Sequence, residues 1–459
     1  MSKNSILKNI FRALGSNALG ILSSAFLILA LPRFIGVEEY SYWQLYIFYA
    51  SYVGLLHLGW SDGYYLSNGG KSYSQIDKFN TSSNYYAFVF FQLIIFLVII
   101  ALSFYLTGDY KDIVFYVAIC LLITNIRSYS QFILQAVNRI KEYSLIIAAE
   151  KIFLVSGVIL ILLIDKVEYE SIIIVDILSR LLALIISSVL CREVLYSASV
   201  SVENIKVGFS DAIRYISSGF KLMLSFFCGL MIFGVIRYTI ESKWGILEFG
   251  EVSLALSLAT LFVLFVNSIS IVLFPVLKNV KPKYRRSVYV KIRFLIFIFL
   301  ILLSNVYFPL EFFVSSWLSN YNKLLTYLPL VFPIMLFEVK ISVLTNTFMK
   351  VLRKESKLLV VNFLLLILSV FSSVALYYLV DDIQFCLVVL VLLSAIRYFL
   401  FDYFLSKEMN VLDIKFWLFD MVFILLFVFF VYTERWYYYS VLTLPMAILL
   451  GYKVIKHRI

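Results

Sequence analysis

Charged residues are scarce in this chain. Asp, Glu, Lys and Arg make up 15% of its 459 positions, whereas about 25% is usual in a soluble domain. Hydrophobic residues reach 62%, more apolar surface than one soluble core of this size can bury. Because lipid satisfies no backbone N–H or C=O group, continuous apolar runs of this kind must be helices. The composition therefore excludes a soluble globular fold and predicts an all-α polytopic membrane protein.

Histidine and cysteine are also rare, which limits the chemistry. The chain has only two histidines, His57 and His457, and its four cysteines form no Cys-x-x-Cys pair. A zinc site, a Cys/His catalytic centre and a disulfide framework are therefore not expected. The sequence has no P-loop either, so an ATP-driven pump would require a partner chain. We predict no catalytic residue, no metal and no cofactor, and a transporter rather than an enzyme.

The apolar runs predict fourteen membrane-spanning helices, each close to the roughly 20 residues that a bilayer requires. The predicted bounds are 13–35, 42–61, 85–106, 113–135, 143–164, 171–190, 214–237, 249–274, 291–310, 326–349, 358–380, 384–405, 414–433 and 437–453.

The connections between these spans alternate in charge. Every second one is rich in lysine and arginine, most densely from Lys278 to Arg286. The opposite connections are short and acidic or nearly neutral, as at Asp381 and Asp382. Since lysine and arginine are retained on the cytoplasmic side, both termini are predicted to be cytoplasmic. The net charge of +11 then reflects orientation in the bilayer, and nucleic acid is not an expected partner.

Two segments hint at an internal repeat. The first predicted span closes on Arg33 and Phe34, and the seventh closes on Arg237 and Tyr238, each followed by a short acidic and aromatic stretch. Six spans separate the two copies, so both have the same orientation, as in carriers built from parallel repeats. We therefore expect a six-helix lobe at 1–200, a second at 201–409 forming a V with the first, and two additional helices at 410–459.

Ionisable side chains inside the spans cost roughly 2.5–3.5 kcal/mol each at the bilayer centre, so they are expected to face a partner or a wet cavity. Basic residues outnumber acidic ones there by eight to four. A positive cavity attracts an anion, and the arginine fork suits phosphate oxygens. The predicted cavity residues are Arg33, Arg127, Arg180, Lys221, Arg237, Lys340 and Arg397.

Structural roles are the alternative for several of these charges. Asp176 and Arg180 are four residues apart and can pair on one helix, whereas Glu338 and Lys340 are two apart and need other partners. Arg397 and Asp402 lie toward the expected cytoplasmic half and can extend to the interface. Asp420 is expected near the cytoplasmic end of its span, within reach of water.

The end of the second span has an unusual sequence, His57-Leu-Gly-Trp-Ser-Asp62-Gly63, with Asn-Gly-Gly-Lys at 68–71. Glycines there relax the helix and expose backbone dipoles, and Asp62 supplies a carboxylate near the cytoplasmic mouth. An ordinary helix C-terminus followed by glycine is the alternative interpretation. His57 can titrate near neutral pH or simply bond to a neighbouring helix.

Together with Pro32-Arg33-Phe34-Ile-Gly36 and Glu39-Tyr40-Ser-Tyr-Trp43, this segment resembles the polysaccharide-biosynthesis transporters related to the O-antigen flippases. Those proteins belong to the multidrug/oligosaccharidyl-lipid/polysaccharide exporter superfamily. The resemblance in motif covers the chain up to Lys71, and beyond it only the span count and the lobes agree. It implies a bacterial inner-membrane flippase that moves an undecaprenyl-diphosphate-linked glycan, an O-antigen or capsule repeat unit, to the outer leaflet by alternating access.

The resemblance also implies membrane lipid as a partner, with polymerase and chain-length regulator proteins as further candidates. Transfer would need H⁺, Na⁺ or the membrane potential, and Asp62, Asp176 and Glu338 are the candidate coupling residues. A drug or cation antiporter of the same superfamily is the main alternative, and the surplus of buried bases argues against it. A polysaccharide polymerase usually has a large outward loop, whereas the outward connections here are short.

Overall fold

The computed structural model describes residues 18–163, 167–278, 280–321, 323–411 and 414–456. All regular secondary structure in these ranges is helical, which confirms the predicted all-α fold. The helices are α1 (Ala18–Phe34), α2 (Val37–Ala50), α3 (Trp60–Asn68), α4 (Lys78–Ser103), α5 (Asp109–Ala136), α6 (Ile140–Leu162), α7 (Tyr169–Leu190), α8 (Arg192–Leu195), α9 (Val202–Trp244), α10 (Ile246–Lys278), α11 (Pro282–Ser304), α12 (Tyr307–Trp317), α13 (Leu324–Val351), α14 (Glu355–Leu379), α15 (Gln384–Glu408), α16 (Ile414–Tyr432) and α17 (Trp436–Lys456). Helices α1 and α13 each contain a π-helical segment, Phe26–Ala30 and Ile341–Asn346.

The described residues contain ten helices that are long and apolar enough to cross a membrane. They correspond to the third to twelfth predicted spans. Shorter apolar helices at Ala18–Phe34, Phe416–Tyr432 and Tyr437–Leu450 correspond to the first, thirteenth and fourteenth. The chain is a polytopic membrane protein.

The predicted second span, 42–61, is wrong as a continuous helix. Helix α2 ends at Ala50, a 3₁₀ segment covers Val53–His57, and α3 begins at Trp60. Between them Leu58 and Gly59 both adopt left-handed backbone angles, with φ of 53° and 76°. Two successive left-handed residues cannot continue a right-handed helix, so the span is broken here.

The chain forms two compact units, one up to Leu230 and the other from Met231 onward. This division lies inside α9, a single helix of 43 residues that contributes to both units. The domain boundaries expected from the sequence, after residues 200 and 409, remain predictions.

Each unit is built around one helix. Among the long helices of the first unit α5 is the most buried, since 56% of the residues in its most apolar stretch are buried. In the second unit the corresponding share for α13 is 89%. In the first unit α2 packs on α5, α5 on α7, and α6 on α7. In the second unit α10 packs on α13, α13 on α15, and α14 on α15. Each helix in these first-unit pairs corresponds to the helix eight positions later in the helix order, so the same pairs occur in both units, as the predicted repeat requires.

The last two helices pack directly on the second unit. Helix α16 contacts α13, and α17 contacts α11. Polar contacts reinforce the second packing, because the hydroxyls of Ser304 and Tyr439 lie 2.7 Å apart and Asn305 Nδ2 donates to Thr443 Oγ1 at 3.1 Å.

Candidate functional site

Polar side chains satisfy the backbone where the second span is broken. Asn125 Nδ2 of α5 donates to the carbonyl oxygen of Val53 at 3.1 Å, and Gln92 Nε2 of α4 donates to that of Leu56 at 3.3 Å. The same Asn125 amide also donates to Gln92 Oε1 at 2.8 Å. Both side chains are completely buried. Such a break persists inside a membrane protein only where neighbours replace the lost helical hydrogen bonds.

His57 and Asp62 lie on either side of this break. The backbone N–H of Gly59 donates to His57 Nδ1 at 3.0 Å, and His57 Nε2 lies 3.6 Å from Asp62 Oδ2. The imidazole is buried and the carboxylate nearly so. The sequence had indicated each residue separately, and the structure places the two side chains next to each other across the break.

The region after α3 is an ordinary helix end. Asn68 Nδ2 donates to the carbonyl oxygen of Tyr64 at 3.2 Å, and Gly69 and Gly70 follow the last turn. The guanidinium of Arg139 covers the ring of Tyr73 in the next connection, 4.7 Å from its centre. Burial raises the pKa of the Tyr73 hydroxyl to about 12, so it remains neutral at physiological pH.

Helix α3 packs against α9 with almost no side chain between them. A Cβ atom on Gly63 would lie 1.8 Å from the carbonyl oxygen of Tyr215, and one on Gly219 would lie 2.0 Å from that of Gly59. Only glycine fits at these positions, which explains the small residues around Asp62.

Asp176 and Arg180 of α7 form the pair that their spacing predicted. Arg180 Nε lies 2.6 Å from Asp176 Oδ2, and the Tyr46 hydroxyl of α2 donates to the same oxygen at 2.8 Å. Arg180 also donates to Thr124 Oγ1 of α5 at 3.3 Å. The cluster therefore joins three helices of the first unit.

Arg127 of α5 pairs with Glu150 of α6, and the ammonium of Lys151 lies 3.5 Å from the same carboxylate. Two cations thus share one anion. The side chain of Lys151 is 29% exposed, whereas those of Arg127 and Glu150 are largely buried. This cluster carries one uncompensated positive charge.

In the second unit Lys340 of α13 pairs with Asp420 of α16, and both side chains are buried. The Tyr398 hydroxyl donates to Asp420 at 3.1 Å, and the Lys340 ammonium lies 5.0 Å from the centre of the Tyr398 ring. The expectation that Asp420 reaches water is therefore wrong. A carboxylate with 0% exposure requires a countercharge, and Lys340 supplies it.

Asp402 of α15 also has a countercharge that the sequence analysis missed. Arg293 of α11 lies 2.9 Å from its carboxylate, Trp417 Nε1 donates to it at 2.6 Å, and the Tyr289 hydroxyl bonds to it as well. Asp402 is completely buried, so the idea that it extends to the interface is wrong. Arg293 could have been found from its position on the buried face of α11, four residues after Tyr289 and three before Ile296.

Glu338 and Arg397 form a third pair in the second unit. Arg397 Nη1 lies 3.2 Å from Glu338 Oε1, and Arg397 Nε donates to Asn362 Oδ1 at 3.0 Å. Arg397 is buried and does not extend to the interface. Glu338 and Lys340 have different partners, as their two-residue spacing predicted.

The remaining predicted cavity residues lie in other settings. Arg33 and Lys221 are exposed. Arg237 donates to Ser253 Oγ at 2.8 Å and lies 5.1 Å from the centre of the Phe249 ring. These two contacts fix the guanidinium against α10.

The pairs change the charge balance on which the anion-binding prediction depended. In the described part of the second unit the buried cations Arg293, Lys340 and Arg397 each have a carboxylate. These pairs reduce the surplus of positive charge that the sequence predicted for this unit. In the first unit the surplus persists at Arg127 and Lys151.

No protein-family model matches the chain, and neither does any curated protein at a significant level. Solved structures do match. An inward-facing multidrug resistance MATE family transporter of the MOP superfamily aligns with a TM-score of 0.64 and 12% identity over 87% of this chain and 94% of its own. The lipid II flippase MurJ, in an inward closed conformation, aligns with a TM-score of 0.59 and 12% identity over 98% of this chain and 99% of its own. The chain therefore has the same fold as these two transporters.

Proposed function

We propose that this chain is a flippase that moves a polyprenyl-diphosphate-linked oligosaccharide from the cytoplasmic to the outer leaflet of a bacterial inner membrane, with both termini in the cytoplasm. The observation that carries the proposal is the extent of the likeness to the lipid II flippase. That alignment covers 98% of this chain, against 87% for the multidrug transporter. A carrier of the same length and fold, with a lipid-linked cargo, supports a lipid-linked cargo here.

Within the first unit, Arg127 and Lys151 are the proposed contacts for the diphosphate. They share only Glu150, so a phosphate oxygen meets a net positive charge there. Arg33 and Lys221, both exposed, are proposed as additional contacts. We propose that the less exposed cations Arg180, Arg237, Lys340 and Arg397 contribute only when the cargo competes with their protein partners.

The proposed coupling residue is Asp62. Asp176 holds both Arg180 and Tyr46, and Glu338 holds Arg397, so each is committed to a contact within its unit. Asp62 is the coupling candidate whose carboxylate lies next to a second ionisable side chain, the imidazole of His57, at 3.6 Å.

A drug or cation antiporter is the second candidate function. The multidrug transporter gives the higher TM-score, 0.64 against 0.59. In addition, the ion pairs of the second unit remove much of the positive surplus that had argued against a cationic cargo.

The two candidates can be separated in liposomes that contain the purified chain. One assay follows a fluorescent undecaprenyl-diphosphate oligosaccharide through its accessibility to a membrane-impermeant quencher, and the other follows ethidium accumulation under a pH or Na⁺ gradient. We expect transfer of the lipid-linked glycan, slowed about tenfold by Arg127→Gln, because a single charged hydrogen bond is worth roughly 1.5–3 kcal/mol. This change leaves Glu150 paired with Lys151.

Lys354→Gln is the matched control, because Lys354 is a half-exposed cation that pairs with Glu408 in the second unit. It is expected to leave glycan transfer unchanged. Ethidium transport without glycan transfer would reject the flippase and favour the antiporter.

A further inference from the structure

We propose that His57 and Asp62 form a proton-binding pair that controls the break in the second span. The proposal rests on the proposed function only in so far as alternating access needs a driving ion. Neither the fold nor the neighbours assign a role to these two side chains.

The first step is the hydrogen bond of the break itself. Gly59 has a left-handed backbone, so its N–H group cannot donate along a regular helix, and it donates instead to His57 Nδ1 at 3.0 Å. An imidazole nitrogen that accepts a hydrogen bond carries no proton. The observed geometry of the break therefore requires His57 to be neutral, with its proton on Nε2.

The second step is the position of Asp62. Its Oδ2 lies 3.6 Å from His57 Nε2, too far for a hydrogen bond but close enough for an anion to favour the charged imidazolium. A second proton can only bind at Nδ1, where it displaces the Gly59 N–H group. Protonated His57 and the present break are thus mutually exclusive.

The other elements packed on the break offer the imidazole no comparable charge. Helix α5 presents the uncharged amide of Asn125, and α4 presents that of Gln92. On α9, the side chain of Arg214 is 65% exposed and lies 4.0 Å from Asp211, and Lys221 is exposed as well. Among the described residues around the break, Asp62 is therefore the ionisable side chain that faces His57.

The third step is the direct contact between the break and α9. A Cβ on Gly219 would lie 2.0 Å from the carbonyl oxygen of Gly59 and 2.4 Å from the nitrogen of Gly63. Backbone touches backbone, so a change of conformation at Gly59 must displace this part of α9. The same helix continues to Trp244, beyond the end of the first unit. Proton binding at His57 is thereby linked to the helix that both units share.

The difference in pKa between the two conformations sets how strongly proton binding at His57 shifts the break. When a group binds its proton more tightly in one of two conformations, each unit of difference in pKa changes the ratio of the two conformations by up to about tenfold. Acidic pH therefore favours a conformation in which Nδ1 is free, and neutral pH favours the break as observed.

The test uses the purified full-length chain in lipid nanodiscs without any glycan. Two measurements are made from pH 3.5 to pH 8: the ¹⁵N chemical shifts of the two labelled histidines, and amide hydrogen exchange of the peptides that span Gly59, corrected for the intrinsic pH dependence of exchange. We expect the shift of His57 and the protection of the break to change with one common midpoint. Protection is expected to fall about tenfold or more below that midpoint.

Variants separate titration from a merely structural role. His57→Asn retains an oxygen that can accept from the Gly59 N–H group but cannot gain a proton, so protection should stay high at every pH. Asp62→Asn removes the anion, so the midpoint should move to lower pH by about one unit or more. His457→Asn changes the other histidine and should leave protection of the break and its midpoint unchanged.

Protection that is constant with pH in the unaltered chain, or that is lost equally in His57→Asn, would overturn the proposal. Should His57→Asn fail to give a monodisperse protein, an unmoved midpoint in Asp62→Asn would overturn it instead. No glycan is present, so failure of the flippase assay leaves this test unaffected. Conversely, glycan transfer without a titrating break rejects the proton pair alone.

Discussion

The two units neutralise the cation of their most buried helix in different ways. In the first unit Arg127 of α5 meets Glu150 of α6, the next helix along the chain. In the second unit Lys340 of α13 meets Asp420 of α16, a helix that follows the expected repeat and has no counterpart in the first unit. The countercharge of Lys340 therefore comes from one of the last two helices, whereas that of Arg127 comes from the next helix along the chain.

The second helix of each unit also differs. In the first unit it is broken at Leu58 and Gly59, whereas α10 of the second unit runs without interruption from Ile246 to Lys278. The broken helix contains His57 and packs on α9 through glycines. We infer that the first unit retains the adaptable element and that the second is the more rigid of the two.

The largest effect is expected from Asp420→Ala. This change leaves the Lys340 ammonium buried without a countercharge, and removing one partner of a buried ion pair costs about 3–5 kcal/mol. The free energy of unfolding, measured in mixed detergent and SDS micelles, should fall by that amount.

The double variant Lys340→Met/Asp420→Leu provides the rescue, because replacing both charges by apolar groups is often neutral or stabilising. Asp381→Ala is the control, since that side chain is fully exposed and a surface contact of this kind with Lys243 contributes little to stability. A loss below about 1 kcal/mol in Asp420→Ala would show that α16 does not hold Lys340.

Gly63→Ala tests the close packing of the broken helix. The new Cβ would lie 1.8 Å from the carbonyl oxygen of Tyr215, a backbone atom that cannot move aside, and overpacking of this kind costs about 1–3 kcal/mol. Gly20→Ala serves as the comparison, because no atom lies within 4 Å of the added Cβ and alanine favours a helix by up to about 1 kcal/mol. Equal unfolding free energies for the two variants would contradict the packing of α3 on α9.

Glu150→Ala is the counterpart of Asp420→Ala in the first unit. The expected loss is smaller, about 2 kcal/mol, because the two cations that lose their carboxylate, Arg127 and Lys151, are 11% and 29% exposed, whereas Lys340 is only 4% exposed. The same unfolding measurement checks the prediction. A loss as large as that of Asp420→Ala would remove the proposed difference between the units.

Hydropathy was sufficient to predict the membrane class and the ten long apolar helices of the described residues, because each span carries its own apolar signal. The break at Leu58 could not be predicted, because its cause is tertiary. The carbonyl groups of Val53 and Leu56, just before the break, accept hydrogen bonds from Asn125 and Gln92, which lie on other helices.

The candidate site shows the same limit. Local spacing correctly predicted the pair of Asp176 and Arg180, since one helical turn brings them together. It could not show that Lys340 meets Asp420, 80 positions later, and so the sequence-based count overestimated the free positive charge of the second unit. Partners on distant helices become visible only once the helices are packed.

The smallest effect is expected from Trp417→Phe, which removes one of several hydrogen bonds to Asp402. The indole N–H donates to the carboxylate at 2.6 Å, but Arg293 and Tyr289 remain in place, so the loss should be about 1 kcal/mol. Its cost should shrink in an Asp402→Asn background, because the two side chains share one contact. Costs that simply add would mean that the indole of Trp417 contributes nothing through Asp402, which would leave Asp420 as the polar residue of α16 whose contacts matter for stability.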